Sequence, residues 1–144
     1  MLRKILSLAF IGVGITLCIV FYAAVDLPED VRSYLRVGFY GQFGRMAIAI
    51  ELLVAGFHLF RNHPKTNFTM GLFGFTAVLD PIFTYLGIFT SNMPLYGTII
   101  FLCFAVISFW IAFTNAFGSG KISVLNVILT FSLGVIIELF FNYF

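Results

Sequence analysis

The chain has 144 residues, of which 61% are hydrophobic, 19% aromatic and 10% charged, with a formal net charge of +2. Ordinary soluble domains are about 45–50% apolar and about 25% charged, and a mean hydropathy of +1.08 cannot be hidden in one small core because a short chain still exposes much of its surface. These figures exclude a soluble globular fold, a disordered or collagen-like chain, a disulfide-stapled module and a nucleic-acid binder, and they make the bilayer the solvent.

A helix needs about 20 mostly apolar residues to cross a core about 30 Å thick. Five stretches qualify: 5–25, 37–60, 68–90, 95–117 and 123–143, about 112 of the 144 residues. The expected fold is therefore an all-α integral membrane protein, a five-transmembrane-helix bundle forming a single transmembrane domain over 1–144. Pro and Gly punctuate the breaks, with Pro28, Pro64, Pro94, Gly118 and Gly120 placed where helices should stop.

The first span follows Arg3 and Lys4 and ends in Ala23-Ala24, which has the outline of a secretory signal. Its 21 apolar residues exceed the 7–15 of a signal core, so a retained span is expected. The second contains Arg45 and Glu51, and the alternative fold is four spans with this stretch lying in the interface. On a helix Gly41, Gly44, Ile48, Glu51, Ala55 and His58 form one stripe, extended outward by Gly38. Such a stripe reads either as a tight packing seam or as a proton path through Glu51 and His58.

Asp80-Pro81 falls in the middle of the third expected span, with Thr76 and Thr84 one turn to either side and Thr69 and Gly87 on the same face. Pro81 cannot donate to the carbonyl of Ala77, so a kink with freed acceptors is expected. A carboxyl, free carbonyls and hydroxyls at mid-depth suit a proton or small cation; the plainer reading is a kink satisfied by a neighbouring helix. In the fourth span Ala105, Ser108, Ala112 and Asn115 read as packing, and Trp110 counts as deep. Asn126, Thr130, Gly134, Glu138 and Asn142 recur every fourth residue in the fifth, which wraps slowly as a contact seam does; Glu138 is expected near the headgroups. The aromatic residues, including Phe140, Phe141, Tyr143 and Phe144 at the end, are expected against lipid or between helices.

Lys and Arg in short loops set orientation. One side carries Arg3, Lys4, Arg61, Lys65 and Lys121, the other Arg32 and Arg36 with Arg45 just inside. The N-terminus is expected in the cytoplasm and the C-terminus on the opposite side. No internal repeat is visible, and five crossings do not divide into the paired halves of most secondary transporters.

No zinc motif, haem pair, nucleophile elbow or phosphate loop is present. Cys18 and Cys103, on different spans, are expected to be inert buried thiols. No cofactor, metal or enzymatic activity is expected. The expected partners are the lipid bilayer and other membrane helices, in a homo-oligomer or a larger membrane complex, and no nucleic acid. The expected function is a membrane-embedded subunit or scaffold, drawn from the number of packing seams at Gly41/Gly44/Ala55, Ala105/Ser108/Ala112 and Thr130/Gly134. The alternative is a proton or small-cation channel or carrier lined by Asp80, Glu51, Thr76 and Thr84. In that alternative Asp80 and Glu51 lie on facing helices and share one proton, with His58 the next stop.

Overall fold

The computed structural model describes residues 1–143, without the side chain of Val37; Phe144, counted above among the terminal aromatics, lies outside the described residues. Five helices run up and down: α1 (Leu2–Ala23), α2 (Gly44–Arg61), α3 (Thr66–Tyr85), α4 (Leu95–Phe113) and α5 (Val124–Tyr143). Each is long and apolar enough to cross a membrane, α2 when continued outward to Gly38. The protein is a five-helix, multi-pass membrane bundle, and α2 packs between α1 and α3 as a full member of it.

Helix ends explain where the observed spans depart from the expected ones. Eighteen residues of α2 reach only ~27 Å, and a 3-10 helix, Val37–Phe43, completes the crossing. Gly38, Gly41 and Gly44 recur every third residue, which aligns them on one face of a helix with three residues per turn. Gly41 and Gly44 abut Phe141 of α5 at 3.0 Å from where a Cβ would stand. Gly38, expected in the same seam, has nothing within 4 Å.

Asn62 in the left-handed region (φ 52) stops α2, with the His63 amide returning to the His58 carbonyl at 2.9 Å. Gly87 (φ 71) stops α3 the same way, the Ile88 amide bonding Phe83. The third span therefore ends at Tyr85 instead of reaching 90, and Asp80-Pro81 sits in its last turn and a half instead of at its centre. Similarly α4 ends at Phe113, which places Trp110 one turn from the end and 45% exposed, an interfacial position and not a deep one.

Two kinds of packing hold the bundle. Phe10, Phe21, Phe73 and Phe101 are all at most 1% exposed. Edge-on and tilted contacts between their rings, 6.1–6.3 Å centre to centre, join α1, α3 and α4. On the other side of α3, the buried face of α5 consists of Thr130, Gly134 and Glu138 alone. This second seam, where α2, α3 and α5 meet, is polar.

Candidate functional site

Helix register decides which polar groups meet in this seam. The short α2–α3 turn brings His58 level with Thr69, whose hydroxyl lies 3.3 Å from Nδ1. Seven residues further along each helix Glu51 comes level with Thr76, its hydrogen-bonding neighbour. Helices α3 and α5 run parallel. Gly134 packs on Thr76, 3.3 Å from built Cβ to Oγ1, and one turn on Glu138 brings its carboxyl within hydrogen-bonding reach of Asp80. Glycine at 134 permits this approach.

Asp80 is 5% exposed and Glu138 3%. The loop after α3 folds back so that Ser91 Oγ donates to Asp80 Oδ2 at 3.0 Å, and the same hydroxyl accepts from the Met93 amide at 3.0 Å. Asn142 donates to the carbonyl of Glu138 at 2.9 Å and to its Oε2 at 3.3 Å. The Tyr143 hydroxyl donates to the Ile88 carbonyl and ties the end of α5 to that loop. Glu51 is half-buried, yet its Oε2 is buried without a hydrogen-bond partner. Glu51 is close enough for its charge to bear on Glu138. Asp80 and Glu138 are thus the pair in direct reach of each other, and Glu51 acts on Glu138 from further along the same seam.

A cavity of about 20 Å3 adjoins Asp80 and Glu138, lined also by Arg45, Ile48, Ser91 and Asn142 among others; it has room for about one water. Arg45 is the cation in this lining. Its guanidinium donates to the Ala24 carbonyl at 3.1 Å and lies 5.7 Å over the Phe21 ring, with Nε buried and unpartnered. On the outer side Asp80 also lines an open groove of about 340 Å3 with Pro81, Thr84, Ser91 and Thr98.

Several expectations need correction. Asp80 and Glu51 do lie on facing helices, but a turn out of level, and the carboxyl that meets Asp80 is Glu138. Thr84 is exposed and its hydroxyl donates to the Asp80 carbonyl at 2.9 Å, so it belongs to the outer groove and not to the seam. His58, two turns from Glu51 as its spacing on α2 requires, faces Thr69 and stacks on His63 at 4.6 Å. Cys103 is exposed on α4 and Cys18 half-buried, neither a core thiol.

The seams expected to await a second chain are filled within one. Gly41 and Gly44 hold Phe141, Thr130 and Gly134 pack on α3 at Gly71 and Thr76, and Ala55, Ala105, Ser108 and Ala112 are all fully buried. The close α1–α2 contact at Gly14 and Gly56 escaped sequence reasoning. There a Cβ would come within 3.0 Å of Leu53 and 2.6 Å of Phe10; the signal was glycine within an apolar helix. For Glu138 the signal was its place in the four-residue row that supplies all of α5's buried face. No known protein family, curated protein or solved structure matches the chain.

Proposed function

We propose that this protein handles protons across the membrane, as a proton-coupled carrier or proton conductor whose working groups are Asp80, Glu138 and Glu51. The observation that supports this is the meeting of Asp80 with Glu138 across α3 and α5, with Glu51 of α2 near enough for its charge to bear on Glu138, so that all three intramembrane acids, half the acids in the chain, lie along one seam. Acids within a membrane are costly to insert, and a bundle that needed only packing would be more stable with apolar residues there.

Protons suit the geometry better than a metal cation. Two carboxyls within hydrogen-bonding reach hold one proton between them, because like charges that close cannot both ionise. Among the described residues no three His, Cys, Asp or Glu side chains are grouped as metal ligands.

The outer groove leads to Asp80 and Asp80 to Glu138, the one-water cavity lies beside that pair on the same outer half, and Glu51 lies further in. Past Glu51 the α2–α3 seam is closed by Leu52, Ala55, Leu59 and Met70, each at most 1% exposed. This half-path fits alternating access, in which the closed half opens by helix movement, better than an open pore. The positive-inside rule places the N-terminus in the cytoplasm and the groove on the opposite side. A subunit or scaffold role loses its specific support now that the packing seams are filled internally.

Proteoliposomes with a trapped pH-sensitive dye test the proposal. Wild type dissipates an imposed proton gradient, and Asp80→Asn and Glu138→Gln each lower the rate at least tenfold while Thr84→Val does not. Wild-type flux from both acid variants would overturn it, and background flux from correctly folded wild type would remove the conductor and leave only a carrier that moves protons with its co-substrate.

A further inference from the structure

The face on which α1 begins carries Arg3, Lys4, Arg61, Lys65 and Lys121 and no acid, since the six acids lie at 26, 29, 30, 51, 80 and 138. Two of these cations, Lys65 from the α2–α3 turn and Lys121 from the α4–α5 loop, line one cavity of about 380 Å3. Its wall is held in place. Asn67, 7% exposed, donates to the carbonyls of Ser119 and Gly120 at 2.9 and 2.8 Å, and the Ser119 hydroxyl donates back to Asn67 at 3.1 Å. The two loops that supply the lysines are thereby locked together.

Ser123 and Asn126 add a hydroxyl and an amide to the lining, and Phe68 and Ile122 an apolar floor. Among the described residues neither ammonium group, nor the side-chain amide of Asn126, has a hydrogen-bond or ion-pair partner. A shaped cavity with two unpaired cations and a neutral donor, on a face with no anion of its own, is complementary to a tetrahedral oxyanion.

We propose that this cavity binds the phosphate of an anionic glycerophospholipid. It lies where α3 and α5 begin, the depth at which headgroups stand. Beside it the first residues of α5, Val124 and Leu125, are 78% and 65% exposed and offer an apolar surface to an acyl chain. Basic pockets between helices at this depth are the usual form of headgroup recognition. The proposal is independent of the proton reading, which concerns the opposite half of the bundle.

Native mass spectrometry of the purified protein with phosphatidylglycerol, phosphatidylcholine or inorganic phosphate tests it. Wild type retains phosphatidylglycerol in preference to phosphatidylcholine, and excess inorganic phosphate does not displace it. The double variant Lys65→Gln/Lys121→Gln loses retention by roughly tenfold or more, whereas Arg3→Gln/Lys4→Gln, with the same loss of charge on the same face, keeps it. Asn126→Leu, which leaves the charge unaltered, also weakens retention. Circular dichroism checks that each variant is folded. Equal losses in the two double variants would reduce the effect to diffuse surface charge, and displacement by inorganic phosphate would make it a free-anion site; either result overturns the proposal.

Discussion

Glu138 and Asp80 meet across parallel helices, each five residues from the end of its own helix and each nearly excluded from solvent. Ser91 holds Asp80 and Asn142 holds Glu138, both from the end at which the two helices stop, so the two carboxyls are fixed in place instead of left to find water.

Removing one carboxyl and replacing it with an amide should have different effects. Asp80→Ala leaves Ser91 without its acceptor and Glu138 without its partner, and should cost about 2–4 kcal/mol, read as a lower melting temperature in detergent. Asp80→Asn keeps an acceptor for Ser91 and a donor for Glu138, and should stay within about 1 kcal/mol of wild type. A double-mutant cycle of Asp80→Asn with Glu138→Gln should give a coupling of about 0.5 kcal/mol or more. Additive effects would mean that the two side chains do not interact.

Ser91 tethers the loop after α3 to the acid pair. Ser91→Ala removes a hydrogen bond to a carboxyl, worth about 1–3 kcal/mol, and should increase amide hydrogen exchange over residues 86–94 while leaving α1 and α4 unchanged. Unaltered exchange in that loop would show that its fold does not depend on this contact.

The α1–α2 contact depends on glycine at position 56 of α2 and not at position 12 of α1. At Gly56 a Cβ would lie 2.6 Å from Phe10 Cβ and 2.9 Å from the Ile11 amide nitrogen, atoms close to a helix backbone that cannot retreat alone. Gly56→Ala should destabilise by about 1–3 kcal/mol. Gly12 has nothing within 4 Å, and Gly12→Ala should be neutral or stabilising by up to about 1 kcal/mol. Thermal melts of both variants check the pair of outcomes.

The orientation can be read with one introduced thiol. Val31 is 76% exposed in the loop between α1 and α2. In a Cys18→Ser/Cys103→Ser background, Val31→Cys should react with a membrane-impermeant maleimide added to intact cells, as expected if the five cations of the opposite face lie inside. Labelling only after lysis would reverse the topology.

Hydropathy and turn chemistry already determined five apolar helices and their order, because the cost of unpaired backbone groups in lipid leaves a long apolar stretch no structure but a helix. The four-residue row on α5 was equally legible, and it supplies all of that helix's buried face. Local signals for Gly87 as the stop of α3 and for three-spaced glycines ahead of α2 were present in the sequence, outweighed by the continuous apolar run around them. The pairing of acids was another matter. Glu51, Asp80 and Glu138 could each be recognised as costly one at a time, but which of them meet depends on the offset between neighbouring helices. That offset is set by the Asn62 and Gly87 stops, by the depth to which Gly134 lets α5 approach Thr76, and by the choice of α3 as the central helix. These are contacts between residues far apart in the chain, and only the tertiary structure decided that Glu138, not Glu51, lies against Asp80.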